Sequence, residues 1–184
     1  MAYPPAQRAL ELLGVALFPV LVVFNALSLP LSPPGVFVSA ILGWLIADLL
    51  SGLVHWTLDR FGSERTPIFG PILIRPFREH HDDPQAMTRH DFVETNGASA
   101  LGASPLFLFQ NEILFFTAIG LVAANQCHKW AHARSVPAIV RAAQRLRLIL
   151  PPAAHGRHHA APHDRHFCTL SGWLNRTLDR VLSP

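Results

Sequence analysis

The stretch that decides the fold is LLGVALFPVLVVFNALSLPLSPPGVFVSAILGWLIA, residues 12–47, which holds no charged side chain. A helix that crosses a bilayer needs about 20 apolar residues, so this run supplies two. Leu12 to Leu29 predicts the first span. The cluster of Pro30, Pro33, Pro34 and Gly35 breaks it. Val36 to about Trp56 predicts the second. A cleaved signal peptide is the competing reading of the first span. It is disfavoured because the run is long, the segment before it is weakly basic, and no small-residue cleavage site follows.

Working outward, the composition agrees with a membrane protein. Of 184 residues, 50% are hydrophobic and only 15% are charged. Mean hydropathy is +0.27. The net charge is +3, but its placement says more: of 15 Lys and Arg residues, only Arg8 precedes position 60. The positive-inside tendency puts the N-terminus and everything after Asp59 on the cytoplasmic side. The basic residues lie among spans and histidines with no recognition motif, which argues against nucleic acid. The two cysteines, Cys127 and Cys168, form no CxxC pair and read as reduced, buried thiols.

Beyond a polar stretch from Asp59 to Glu94, two uncharged segments flank Gln110-Asn111-Glu112. A single crossing here would put His80 and His128 on opposite faces of the membrane. A hairpin brings them back together, so spans are expected at about 93–110 and 112–130. One long span with two unrelated histidine groups is the alternative. From Val136 to Leu150 the apolar residues fall near one face and Arg141, Gln144 and Arg145 on the other. That pattern fits an interfacial helix or an ordinary amphipathic packing helix. Pro151-Pro152 ends it, and a His-rich segment occupies 151–184. The expected architecture is all-α: a single integral membrane four-helix bundle with a cytoplasmic His-rich di-metal cap.

The cap rests on the histidines. There are 11, none before position 55. They cluster as His55-x-x-x-Asp59, Glu79-His80-His81, His128-x-x-x-His132 and His155-x-x-His158-His159, with His163 soon after. Residues i and i+4 share a helix face, so His128 can converge with His132 and His55 with Asp59. Neutral imidazole is the commonest transition-metal ligand. The number of candidates exceeds the four that one zinc takes, which suits two ions. Imidazole suits zinc, copper, iron and nickel alike. Iron fits best where the substrate is a lipid chain, since unactivated C–H bonds need an oxidant made from O2. Asp48 lies inside the second span, where an ionisable group is costly. It either orients a ligand imidazole or is a carboxylate hydrogen-bonded within the bundle. Asn96 and Asn125 are second-layer or interhelical groups. His90 is intermediate, and His166 stands outside the tight pattern. Arg75, Arg78 or Arg89 could hold a lipid phosphate, although topology and headgroup contact is the favoured reading of any single one.

Several motifs, in order from Asp48 to Asn175, resemble the Kua family of lipid desaturases. They are Asp48-x-x-Ser51-Gly52-x-x-His55-Trp56-x-x-Asp59, Phe77-Arg78-Glu79-His80-His81-x-Asp83-Pro84 and Thr88-Arg89-His90-Asp91-Phe92-x-Glu94-Thr95-Asn96-Gly97. Asn125-Gln126-x-His128-Lys129-Trp130-x-His132, His155-x-x-His158-His159-x-x-Pro162-His163 and Phe167-Cys168-x-x-x-Gly172-Trp173-Leu174-Asn175 complete the set. The resemblance implies a membrane di-iron enzyme that uses O2 and two electrons from an electron-transfer protein of cytochrome b5 or ferredoxin type. Its substrate would be a membrane phospholipid, with the 1-O-alkyl chain of plasmanylethanolamine first and an acyl chain or a related hydroxylation as alternatives. The implied ligands are His55, Asp59, His80, His81, His128, His132, His155, His158 and His159; the clustering of the residues adds His163 as a ligand and Asp48, Glu79, His90, Asn96 and Asn125 as supporting groups. His166 replaces a tyrosine frequent in the family and is excluded as a ligand. Ala154 replaces a frequent histidine. Richness in Ala, Arg and Pro suggests a bacterial protein of the inner membrane; in a eukaryote the endoplasmic reticulum would be the site.

Overall fold

The computed structural model describes residues 5–30, 32–67 and 69–182, with only the backbone of Ile72; the last two residues of the expected C-terminal segment lie outside that range. Among the described residues there is no strand. Two long helices come first, α1 (Pro5–Ser28) and α2 (Pro33–Arg60). A π-helical turn at Gly70–Ile74 leads into α3 (Arg75–Asp82), followed by the short α4 (Ala86–Arg89). Next come α5 (Phe92–Ala103), a 3-10 segment at Ser104–Phe109, and α6 (Glu112–His132). The chain closes with α7 (Ala138–Arg145), α8 (Pro152–His155) and α9 (Asn175–Leu182). Contacts divide it into two compact units, residues 1–47 with 91–126, and residues 48–90 with 127–184.

In the first unit the usual inside–outside order is reversed. Helices α1 and α2 are long and apolar enough to cross a membrane. On α1, Val20, Val23, Phe24 and Leu27 are exposed, while Gln7, Glu11, Gly14 and Asn25 are buried. The buried polar groups have partners. Gln7 Nε2 donates to Glu11 at 3.0 Å, Asn25 Oδ1 accepts from Gln110 at 2.9 Å, and Ser39 Oγ donates to Glu112 at 3.0 Å. Apolar side chains outside and satisfied polar groups inside suit a hydrocarbon solvent. Phe107, Phe115, Ala103, Ala118 and Leu29 form the apolar core of this unit.

Small residues set the helix spacing. A Cβ at Gly97 would stand 2.4 Å from the Glu11 Cβ, and one at Gly14 would stand 2.3 Å from the Gly97 carbonyl oxygen. Thus α1 and α5 meet backbone to backbone. Gly43 does the same for α2 against α6, where a Cβ would lie 2.8 Å from the Ile113 carbonyl oxygen. Asp91 caps α5 in a reciprocal capping box with Glu94, and Arg8 pairs with both oxygens of Asp91 at 3.0 and 2.7 Å.

Among the described residues only α1 and α2 are long and apolar enough to cross a membrane, and the segment expected as a third span differs in form. It is α5 followed by a 3-10 segment, because Pro105 has no N–H to continue the α ladder. The helix expected over 136–150 ends at Arg145, and Arg147 turns the chain with φ +57°.

Candidate metal centre

In the second unit four separated stretches of sequence converge. His55 and Asp59 come from the end of α2, His80 and His81 from α3, His128 and His132 from α6. His155, His158 and His159 come from α8 and the turn after it. Neighbours on a helix point about 100° apart, a consequence of 3.6 residues per turn, so His80 also reaches His128 and His132 while His81 does not. Arg78 fixes α3 against α2, donating to the carbonyls of Leu58, Phe61 and Gly62 at 3.1–3.2 Å. Gln85 donates to the His132 carbonyl at 2.9 Å, and Lys129 donates to the His90 carbonyl.

Two overlapping sets result. One is His80, His128, His132, His155 and His159; the other is His55, His80, His81 and His158. Within each, the potential ligand atoms all lie within 4.8 Å of one another. Asp59 joins the second set, its oxygens 3.3 Å from His81 Nε2 and 3.5 Å from His55 and His158 Nε2. His80 belongs to both.

Hydrogen bonding alone does not account for this packing. His155 Nε2 lies 2.8 Å from His128 Nε2, 2.8 Å from His132 Nε2 and 3.1 Å from His159 Nε2. A neutral ring nitrogen has one proton or one lone pair, so it can satisfy one such neighbour and not three. Two nitrogens bound to one ion at about 2.1 Å stand about 3.0–3.4 Å apart, which is close to the observed spacing. His55 Nε2, His80 Nε2 and both Asp59 oxygens are buried without a hydrogen-bond partner. A buried polar atom left this way is costly unless something binds it. The residues therefore fit a pair of metal ions.

The protein prepares these rings. His55 Nδ1 lies 3.0 Å from the Phe167 carbonyl and His158 Nδ1 lies 2.9 Å from the Arg165 carbonyl. A carbonyl only accepts, so each Nδ1 carries the proton and each Nε2 keeps its lone pair for the centre. Burial, with added repulsion from neighbouring rings, keeps His80 and His155 neutral far below the ordinary imidazole range, and brings His159 down to about 3.

Several expected residues sit elsewhere. His163 is in neither set. Its Nδ1 donates to the His158 carbonyl at 3.1 Å, with its ring 4.8 Å from that of His81. Asp48 does not orient an imidazole. Its carboxylate accepts the backbone N–H groups of Ser171, Gly172 and Leu174 at 2.8–3.1 Å. Glu79 is exposed, and His90 contributes only its carbonyl. Asn96 bonds to Phe92 and Gln126, and Asn125 to the Thr95 carbonyl, all in the first unit. Arg89 pairs with Asp83 at 2.6 Å, Arg78 is committed to the α2 carbonyls, and Arg75 opens α3 half-buried. His166 is no part of either set; its N–H donates to Asp179 at 2.7 Å. Both cysteines are free and buried.

Sequence reasoning missed the belt that carries the two carbonyls. Ser51 Oγ accepts from the Thr169 N–H and Asn175 Oδ1 from that of Cys168, at 3.1 and 2.8 Å. The available signal was Asp48 and Ser51 at helical i,i+3 spacing, which marks one polar face.

Comparison with known proteins places this arrangement. The lipid desaturase domain family matches residues 44–182, which includes every residue of both sets. A plasmanylethanolamine desaturase from Myxococcus xanthus is 41% identical over 196 residues, covering 97% of this chain and 70% of that protein. Plasmanylethanolamine desaturase 1 of Mus musculus is 40% identical over 204 residues, covering 97% and 75%. Chloroplastic fatty acid desaturase 4 of Arabidopsis thaliana is 34% identical over 148 residues, covering 74% and 46%. No solved structure matches. Similarity of this extent, running through all the converging histidines, makes the chain a member of the lipid desaturase family.

Proposed function

We propose that this protein is a di-iron plasmanylethanolamine desaturase, embedded in a bacterial inner membrane with its histidines on the cytoplasmic side. The reading is carried by one observation: two ligand sets share His80 within buried surroundings that leave His55 Nε2, His80 Nε2 and both Asp59 oxygens without a hydrogen bond. Identity near 40% across almost the whole chain to plasmanylethanolamine desaturases favours an ether lipid as substrate. The shorter match to fatty acid desaturase 4 supports acyl-chain desaturation as a second reading.

His128, His132, His155 and His159 would hold one iron, and His55, Asp59, His81 and His158 the other, while His80 belongs to both sets. Bound iron supplies oxidation by O2: with two electrons and two protons from outside and two hydrogens from adjacent lipid carbons, O2 leaves as two waters and the lipid gains a double bond. The rest is the work of the chain. The Phe167 and Arg165 carbonyls fix the tautomers of His55 and His158. Asp59 adds negative charge beside His81. Burial of His55, His80, His128, His155 and His158 keeps bulk water from the centre. The exposed apolar residues of α1 and α2 would meet lipid chains in a bilayer.

Purified protein in vesicles, given iron, O2, an electron donor and 1-O-alkyl phospholipid, should yield a vinyl ether product two hydrogens lighter than the substrate. Gain of an oxygen would identify a hydroxylase instead. Metal analysis should give two irons per chain; one tightly held zinc would point to a non-catalytic metal protein. His158→Ala, at unchanged expression, should lower turnover on the order of 100-fold or more. Full activity in that variant would remove the di-iron assignment.

A further inference from the structure

The three residues Arg165-His166-Phe167 face two ways. Inward, the Arg165 carbonyl holds His158 at 2.9 Å and the Phe167 carbonyl holds His55 at 3.0 Å. Outward, Arg165 and His166 line a concavity of about 450 Å³ together with Arg157, Arg176, Asp179 and Arg180. Between the two carbonyls His166 takes φ +62°, a left-handed turn, and Asp179 of α9 receives its N–H at 2.7 Å. A neighbouring concavity shares Arg157 and Arg176 and adds Arg147. Five arginines thus line two concavities that share Arg157, His166 and Arg176. Arg165 pairs with Asp164, and Asp179 is spent on the His166 backbone. Arg157, Arg176 and Arg180 are exposed.

The proposed reaction draws two electrons from outside. The chain itself has neither a CxxC pair nor a haem attachment motif, and its two cysteines are buried thiols. The proposed reaction therefore needs a redox group outside these 184 residues. This surface joins strong positive charge to a path of covalent and hydrogen bonds that ends on His158 and His55, both in the second set.

We propose that the surface formed by Arg157, Arg165, Arg176 and Arg180 is the docking site for an acidic one-electron carrier protein, with the Arg165–Phe167 strip as the link to His158 and His55. It rests on the di-iron reading above. Two carriers dock in turn, each is oxidised by one electron, and the pair of electrons meets the demand of one desaturation. Opposed charge steers such encounters and speeds them by about 10- to 1000-fold at low salt.

The test uses the full-length protein in vesicles and two acidic probes, a plant-type ferredoxin and a soluble cytochrome b5 domain. At least one should bind the wild type with an affinity that falls as salt rises. Arg176→Glu with Arg180→Glu should weaken that binding about tenfold or more, and slow donor-driven turnover alike. Turnover driven by dithionite should stay at the wild-type level. Unchanged binding and donor-driven turnover in the double variant, or no binding of either probe by the wild type, would overturn the docking site. So would a raised lipid KM with both reductants, which would assign the arginines to the phospholipid phosphate. Equal loss of both routes, repeated in the milder Arg176→Gln with Arg180→Gln, would do the same. Salt-sensitive, charge-dependent binding with no desaturation by either reductant would leave docking intact and remove the enzymatic reading instead.

Discussion

Asp48 shows how one side chain can serve a site it never touches. It is fully buried, and its two oxygens take three backbone N–H groups from Ser171, Gly172 and Leu174. A carboxylate suits this task because both oxygens accept and neither donates. Asp48→Ala leaves three donors without partners, at about 1–3 kcal/mol each. That variant should therefore melt several degrees below wild type in detergent, with faster amide exchange at 171–174. An unchanged melting temperature would remove the role. Its importance was visible in the sequence, since a carboxylate inside an apolar run demands a partner. Its partner was not visible, because residues 171–174 lie far along the chain and offer only backbone. The converging histidines were legible for the opposite reason. The i,i+4 spacing of His128 and His132 places both side chains on one face of α6. The Arg165 and Phe167 carbonyls left no trace, since every residue has one.

At the scale of elements, hydropathy located α1 and α2 but not their ends. The expected spans 12–29 and 36–56 became Pro5–Ser28 and Pro33–Arg60. Polar residues turned inward, Gln7 and Glu11 on α1 and His55 and Asp59 on α2, extend each helix past the apolar run. Close approach explains what hydropathy ignores. Gly97 has Glu11 Cβ 2.4 Å from where its own Cβ would be. Gly97→Val should force α1 and α5 apart and destabilise the protein by about 1–3 kcal/mol or more. Detergent-denaturation midpoints will check this, with Gly102→Val, which faces open space, as the comparison. Equal midpoints for the two variants would show that α1 and α5 do not depend on that contact.

At the scale of the molecule, the sequence separates a stretch built for hydrocarbon from a stretch built for metal, and the two compact units preserve that separation. The all-helical class was readable from period and composition. How α5 gives way to a 3-10 segment was not, because it depends on one proline and on the packing around Phe107. The crowded rings make the metal-free protein sensitive to acid. His80, His155 and His159 are held neutral in the fold, His159 with its value near 3, whereas in the unfolded chain each titrates near 6.5. Below about 6.5 the unfolded state binds more protons than the folded one, so stability is lost as pH falls, and His159 goes on contributing to that loss down to about 3. Melting temperatures of chelator-treated protein should fall between pH 7.5 and 5, and iron should narrow the loss by binding only the folded state. A flat profile without metal would contradict the buried, neutral rings.

The order in which the ligands occur along the chain has a further result. Each set takes residues from before position 82 and finishes with residues from 155–159. A ribosome therefore delivers the closing ligands of both sets late, after the helices that supply the others have been made. Until the chain has passed His158 and His159 each set still lacks a member, so a half-made chain carries no complete cage for a metal.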